Sequence, residues 1–267
     1  MESTDLLNKA YENIRIVEWN INACSKTNDI KRIVNSIEAD VIVLTEVRKS
    51  RISEYLNWEN YDLWESKSYP NAKYPGRVNS VIFAIKKINN KTNVEVFDCG
   101  KYEDSNIKHM PECLGVSISY PSQTLKIYGL RMRNTNIEKL SIQKENLLDY
   151  IFCQEKNISI VIGDFNYESA IKFNYSFNSQ ICRFQQFINE VLAKGYVIKQ
   201  AQELEGASKN SYYSRRKPLA MKNDIGTSPD MIFVSNGLEK NMEKVFYYLP
   251  ENCPSDHAML IADINLK

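Results

Sequence analysis

The stretch of β-branched residues at 158–162 restricts the fold of this 267-residue chain more than any other feature. It is too short for a helix and is typical of a buried strand. A second stretch, at 41–44, is continuously apolar, as in strands covered on both faces. Strands of this kind need packed layers above and below them. The sequence therefore predicts an α/β protein in which sheets are covered by helices.

The first of these strands ends in a short polar motif. Gly163 allows the chain to change direction, and Asp164 and Asn166 follow it two residues apart. In a strand this spacing puts both side chains on one face. An acid and an amide held together can bind a metal-bound water or a phosphate oxygen. The alternative is an Asx turn that closes the strand.

A strand, a helix and a second strand occupy residues 14–46. The strand at 14–20 ends at Asn20, a helix with apolar residues at helical spacing is capped by residues 27–29, and the strand at 41–46 ends at Glu46. Further strands are expected at 80–85, 94–97, 114–120, 125–132, 229–234 and 258–264, and further helices at 48–57, 137–154 and 181–193. No repeat or break in composition marks a linker, so residues 1–267 are expected to form one domain.

Composition excludes several classes of protein. The 34 basic and 33 acidic residues give a net charge of +1, so any nucleic acid must be bound by local clusters of charge. No signal peptide and no membrane segment are found, and six scattered cysteines fit reduced thiols, so we expect a cytoplasmic protein. Only two histidines are present, which argues against a zinc site. The oligomeric state stays open.

Polar residues recur where the predicted strands end or begin. They are Asn20, Glu46, Arg131, Asp164, Asn166, Asp230, Asp256 and His257. Each alone could be a turn residue, a solvated carboxylate or a partner in an ion pair. However, a glutamate at the rim of a wholly apolar strand gains nothing unless a cation lies there. Together these residues favour a site built at one edge of the sheets.

The order of these motifs resembles the endonuclease/exonuclease/phosphatase family. The matching segments are W-N at 19–20, L-T-E-V at 44–47, I-G-D-F-N at 162–166, P-D-M-I-F-V at 229–234 and S-D-H at 255–257. The resemblance spans nearly the whole chain. It implies a four-layer α/β sandwich of two packed, mostly antiparallel or mixed sheets with helices on the outer faces. It also implies hydrolysis of phosphate esters.

The resemblance implies two groups of site residues. The ligands of the catalytic metal, Mg²⁺ or Mn²⁺ in its place, would be Glu46, with Asn20 and Asp256 nearby. The residues at the scissile phosphate would be Asp164, Asn166 and His257, the last oriented by Asp230. Mg²⁺ takes oxygen ligands and keeps several waters, so one or two carboxylates suffice. Whether Asp164 acts as base or acid stays open.

Arg131 departs from the family pattern. Many relatives carry histidine at this position and the abasic-site enzymes carry tyrosine. A guanidinium cannot be a general acid at neutral pH, but it can bind a phosphate oxygen through two N–H groups. Arg131 is therefore expected to clamp the transition state. His109 lies outside every motif and is not expected to replace a catalytic histidine.

A basic, aromatic segment before the strand of Asp230 indicates which substrate to expect. Tyr212 and Tyr213 could stack on bases while Arg215 and Arg216 neutralise the backbone. The first hypothesis is a nuclease acting on DNA or RNA. The alternatives are a small-molecule or lipid phosphatase or phosphodiesterase on the same fold, and a binding module without activity.

Overall fold

The computed structural model describes residues 13–55, 58–66, 69–70, 78–87, 93–97, 111–120, 123–132, 137–153, 158–166, 186–199, 201–203 and 230–266. The strands in chain order are β1 (Asn13–Asn20), β2 (Val41–Arg48), β3 (Tyr61–Glu65), β4 (Tyr69–Pro70), β5 (Val78–Lys86), β6 (Asn93–Phe97), β7 (Glu112–Ser119), β8 (Thr124–Arg131), β9 (Ile158–Asp164), β10 (Tyr196–Lys199), β11 (Gln202–Glu203), β12 (Asp230–Ser235), β13 (Met242–Tyr248) and β14 (Met259–Asn265). The helices are α1 (Thr27–Asn35), α2 (Ile52–Tyr55), α3 (Ile137–Tyr150) and α4 (186–193), with 3₁₀ turns at Lys49–Arg51 and Asn236–Asn241.

These strands form two mixed sheets. The first has eight strands in the order β11-β13-β14-β1-β2-β5-β3, with β4 also paired to β5. The second has six strands in the order β10-β12-β9-β8-β7-β6. The pairs β1–β2, β8–β9 and β11–β13 are parallel and the other described pairs are antiparallel.

Alternation along the strands divides the core into three layers. In β1, Ile14 and Ile16 face the other sheet, whereas Val17 and Trp19 face the helices. Helices α1 and α2 cover the outer face of the first sheet, and the segments around α3 and α4 cover the outer face of the second. Successive side chains of a strand point to opposite faces, so each central strand contributes side chains to two hydrophobic layers. The predicted four-layer α/β sandwich is confirmed.

Most strands lie close to their predicted positions, including the edge strand β6, but some strands were not predicted. The hairpin β7–β8 and the helix α3 lie within two to four residues of their predicted bounds. Strands β3, β10 and β13 were missed by the sequence analysis. The predicted cap of α1 is wrong: Lys26 is the N-cap and makes no side-chain cap bond, and the Thr27 hydroxyl instead donates to Glu54 Oε2 at 2.6 Å.

No helix among the described ranges is long and apolar enough to cross a membrane. The predicted strand residue 229 and much of the predicted helix at 181–193 lie outside those ranges.

Candidate active site

A row of four charged side chains crosses the second sheet at one register. Glu112 of β7 pairs with Arg131 of β8, Arg131 with Asp164 of β9, and Asp164 with Asp230 of β12. All four are nearly fully buried, with at most 6% of any residue exposed. In-register residues on neighbouring strands point to the same face. The row therefore faces the first sheet at the edge of the sandwich.

Asn20 joins the two sheets at this edge. Its Nδ2 donates to Asp164 Oδ2 at 2.8 Å and to Glu46 Oε1 at 3.2 Å, while its Oδ1 accepts the backbone N–H of Asn22 at 2.8 Å. Because β1 and β2 are parallel, Asn20 and Glu46 leave the sheet at the same end. Glu46 lies where the β2–β5 register shifts and has a φ of +56°, which places its side chain beside Asn20.

Asp164 and Asn166 form the Asx turn that was the alternative to a functional role, and they also lie with the other predicted site residues. Asp164 Oδ1 accepts the backbone N–H of Asn166 at 2.9 Å, and Asn166 Nδ2 donates to Asp164 Oδ2 at 2.9 Å and to Met132 O at 2.5 Å. Burial and the adjacent charge of Asp230 raise the pKa of Asp164 to about 7, against the opposing charges of His257 and Arg131. The turn thus fixes a carboxylate that can exchange a proton near neutral pH.

His257 is bound by Asp230. The two side chains approach to 2.8 Å between Nδ1 and Oδ2, and the backbone N–H of His257 donates to Ser255 Oγ at 3.1 Å. The carbonyl of His257 accepts the Trp19 indole N–H at 2.9 Å, and Ser255 Oγ donates to the carbonyl of Asn20. Burial alone lowers the pKa of His257, but the attraction of Asp230, followed by Asp164 and Asp256, outweighs it and raises the pKa to about 10. The imidazole is therefore a fixed cation at neutral pH.

Arg131 lies between carboxylates of both sheets. Nη2 is 2.7 Å from Glu46 Oε1, Nη1 is 3.3 Å from Glu112 Oε1, and Nε is 3.9 Å from Asp164 Oδ2. Nε is buried and has no hydrogen-bond partner in the described part of the chain. Burial works against the charge of Arg131, but these carboxylates outweigh it and raise its pKa. The carboxylate oxygen of Asp164 at 3.9 Å is thus within ion-pair distance of this Nε–H but too far for a hydrogen bond.

Asp256 lies beside His257 and has an unsatisfied oxygen. Its Oδ1 is buried and accepts no hydrogen bond from the described residues. Burial raises the pKa of Asp256, and the nearby charge of Glu46 adds to this, although His257 opposes it. Two carboxylates that repel each other, one with a bare oxygen, provide the hard oxygen donors that Mg²⁺ prefers. The residues present therefore fit a divalent cation, although no group of three or more His, Cys, Asp or Glu in the described ranges is arranged to hold one.

Sequence analysis missed two buried carboxyl groups of this site. Glu18 is fully buried, accepts the Thr45 hydroxyl at 3.2 Å, and its pKa is raised well above the usual value by burial and by the charges of Asp230 and Asp164. Glu112 contacts Arg131 as described. Glu18 and Glu112 each occupy an inward-facing position in the period-two pattern of a buried strand. A charged residue at such a position was the signal in the sequence that could have identified them.

The predicted residues therefore fall into two sets. The structure brings together Asn20, Glu46, Arg131, Asp164, Asn166, Asp230, Asp256 and His257 at one edge of the sandwich. The predicted substrate-binding residues Tyr212, Tyr213, Arg215 and Arg216, and also His109, lie outside the described ranges.

Comparison by sequence finds no matching family model and no significantly similar curated protein. Comparison by structure finds clear similarity to solved proteins. An endonuclease/exonuclease/phosphatase from Beutenbergia cavernae matches with a TM-score of 0.66 and 17% identity over 96% of this chain and 72% of that protein. An AP endonuclease from Archaeoglobus fulgidus matches with a TM-score of 0.63 and 16% identity over 93% of this chain and 98% of the other. The 3′ phosphatase NExo from Neisseria, bound to a product DNA hairpin, matches with a TM-score of 0.65 and 15% identity over 94% and 99% of the two chains.

Proposed function

Because the chain has the fold of the endonuclease/exonuclease/phosphatase proteins, we propose that it is a divalent-metal-dependent phosphodiesterase, and specifically a nuclease that hydrolyses DNA or RNA. The observation that carries this proposal is the convergence of Asp164, Arg131 and the His257–Asp230 pair at one buried edge. Fold alone fixes no activity, so the proposal depends on what these side chains can do together.

His257 and Arg131 supply positive charge for the phosphate. With Nδ1 held by Asp230, the imidazolium presents Nε2–H as a second donor, suited to a non-bridging phosphoryl oxygen. The guanidinium of Arg131, whose side chain is 8% exposed, supplies a second positive charge for the same group. Both cations are held by buried carboxylates, so little reorganisation is needed as charge develops on the phosphate.

Asp164 is placed to handle the proton. Its pKa of about 7 leaves it able to accept a proton from an attacking water or to give one to the leaving oxygen. Asn20 and Asn166 donate to the same Oδ2, which fixes the direction of the carboxylate. Both amide N–H groups of Asn166 are already donated, to Asp164 Oδ2 and to the carbonyl of Met132, so its part in this proposal is to position Asp164.

Glu46 and Asp256 are the residues that would hold Mg²⁺, or Mn²⁺ in its place, and Asn20, predicted as a ligand, instead turns its Nδ2 toward Glu46 and orients that carboxylate. When bound, such an ion neutralises charge on the phosphate oxygens and lowers the pKa of a bound water. Asn20 already bridges Glu46 and Asp164, so a ligand at Glu46 lies next to the proton-transfer group.

Nucleic acid is the proposed substrate. Two of the structurally similar proteins are an AP endonuclease and a 3′ phosphatase bound to a product DNA hairpin. The predicted contacts of Tyr212, Tyr213, Arg215 and Arg216 with bases and backbone stay part of this proposal. The cytoplasmic location stays part of the proposal, on the scattered spacing of the six cysteines.

The test is a substrate panel with the purified protein and Mg²⁺. Labelled single- and double-stranded DNA and RNA are incubated in parallel with inositol phosphates and phosphorylated lipids, with EDTA and the Asp164→Ala variant as controls. Strand scission that needs both Mg²⁺ and Asp164 is the expected result. Release of inorganic phosphate without strand scission would instead indicate a phosphatase. If none of the substrates is turned over, the protein is a binding module.

A further inference from the structure

Arg131 and a divalent cation at the proposed metal site would use the same carboxylate. The guanidinium Nη2 lies 2.7 Å from Glu46 Oε1, the shortest of the contacts of Arg131. Only 8% of the Arg131 side chain and 16% of the Glu46 side chain are exposed, so water screens this pair little. A cation bound to Glu46 therefore meets a fixed positive charge at the same oxygen.

Glu112 gives the guanidinium a second partner on the opposite side. It lies directly across the β7–β8 ladder from Arg131, and the 3.3 Å contact joins Nη1 to Oε1. Its side chain is 1% exposed. Without Arg131, the buried charge of Glu112 would be costly. Without Glu112, the buried guanidinium of Arg131 would depend more strongly on its remaining contact with Glu46.

We propose that Glu112 is a positioning residue that shares Arg131 with Glu46 and thereby sets the affinity of Glu46 for the divalent cation. When the cation binds Glu46, Arg131 keeps Glu112 as a counter-charge and its Nη1 remains anchored in register. Arg131 lowers the cation affinity and Glu112 restores part of it. The inference rests on the proposed metal site, and it concerns a residue outside the set that the family resemblance implies.

Thermodynamic linkage makes the coupling reciprocal. If Arg131 weakens the binding of the cation, the cation weakens the hold of Glu46 on Arg131 by the same factor. The Arg131 Nε–H resonance is therefore expected to shift on titration with Mg²⁺, a signature that a distant structural role would not produce.

The experiment is a double-mutant cycle read by metal affinity. Mn²⁺ binding is measured by calorimetry for the wild type, Glu112→Gln, Arg131→Gln and the double variant, each first stripped with EDTA. We expect Arg131→Gln to tighten Mn²⁺ binding roughly tenfold and Glu112→Gln to weaken it roughly tenfold, as for contacting charged residues. In the Arg131→Gln background, Glu112→Gln should change the affinity by less than about threefold, because the residue through which it acts is gone.

Each other outcome is informative. If Glu112→Gln weakens Mn²⁺ binding equally in both backgrounds, Glu112 acts on the metal directly and the proposal is overturned. Equal affinity of the wild type and Arg131→Gln would also overturn it. Glu46→Gln distinguishes failure of the metal site from failure of the role of Glu112. If Glu46→Gln leaves Mn²⁺ binding unchanged, the proposed metal site is wrong. If Glu46→Gln abolishes Mn²⁺ binding but the double-mutant cycle shows no coupling, only the role of Glu112 is wrong.

Folding is controlled within the same series. Thermal unfolding in EDTA identifies any variant that fails to fold, and Glu112→Asp provides a second test because it keeps the charge but shortens the reach to Nη1. An affinity of Glu112→Asp between those of the wild type and Glu112→Gln is expected. An affinity of Glu112→Asp below that of Glu112→Gln would contradict the proposal.

Discussion

Asp230 and Asp164 are direct neighbours across the β9–β12 ladder, and both carboxylates are buried. Two adjacent buried carboxylates repel each other unless cations compensate them. Asp230 is compensated by His257 at 2.8 Å and Asp164 by the amide of Asn20 and the more distant Arg131. The protonation states of these groups are therefore set as a unit.

The first prediction concerns the charge of His257. Asp230→Asn removes the main attraction that opposes the burial of the imidazole, so the pKa of His257 should fall from about 10 toward or below its ordinary value of about 6.5. The measurement is a proton NMR titration in EDTA. The chain has only two histidines, and His257→Gln assigns the resonances.

The same change has a pH-dependent effect on stability. The pKa of His257 is raised in the folded state, so its stabilising contribution is complete below about pH 6.5 and declines as the pH rises through about 10. The difference in unfolding free energy between the wild type and Asp230→Asn should thus be largest in acid and shrink above neutrality. A difference that grows with rising pH would contradict the ion pair.

The second prediction concerns turnover. Asp164→Ala and His257→Ala should each reduce kcat by at least about 10²-fold, the usual scale for a lost acid/base or charge-stabilising donor. The rate is measured under saturating Mg²⁺ on the best substrate of the panel. Asp62→Asn is the matched control, because that carboxylate is 60% exposed on β3 and lies 3.9 Å from Lys87. Full activity of either site variant would remove that residue from the mechanism.

The central strands could be predicted because their composition alone decides their environment. The apolar residues of β2 and β9 have no alternative to burial on both faces. Strand β13 was missed because Glu243 and Lys244 are exposed at its start, which masks its buried second half. Period and composition therefore identify strands that are buried along their whole length better than strands that are exposed at one end.

The site could be predicted as a set of strand ends but not as a geometry. Parallel strands end at one edge, which brings Asn20 near Glu46 and Arg131 near Asp164 within their own sheets. The contact of Asn20 with Asp164 joins the two sheets, and it depends on how they stack. No local pattern encodes that stacking. For the same reason the role of Glu112 follows only from its register with Arg131.

The third prediction concerns the backbone at the end of β9. Gly163 has a φ of +155°, and a Cβ there would lie 1.9 Å from the carbonyl oxygen of Leu130. Gly163→Ala must therefore displace the β8–β9 ladder beside Asp164, and we expect a loss of about 3 kcal/mol or more in unfolding free energy. Urea unfolding provides the measurement.

Gly237→Ala is the control for this substitution. A Cβ at Gly237 meets no atom within 4 Å, so this variant should keep the stability of the wild type or gain slightly. Equal stability of the two glycine variants would show that the close approach at Gly163 imposes no constraint.

The fourth prediction distinguishes the geometry of Arg131 from its charge. Arg131→Lys keeps the positive charge but replaces the planar fork with a point charge, which cannot contact Glu46 and Glu112 together as the two Nη atoms do. If the guanidinium acts mainly in the transition state, kcat should fall about 10²-fold while KM changes little. Steady-state kinetics on the scissile substrate provide both values.

Arg15→Lys is the matched control, because it also replaces a forked guanidinium with a lysine ammonium. Arg15 donates Nε and Nη2 to the two oxygens of Asp263 on β1 and β14, away from the site. Its replacement should leave kcat and KM unchanged. If Arg131→Lys instead raises KM and leaves kcat unchanged, Arg131 binds the ground state and the transition state equally. The guanidinium would then contribute to substrate affinity and not to the chemical step.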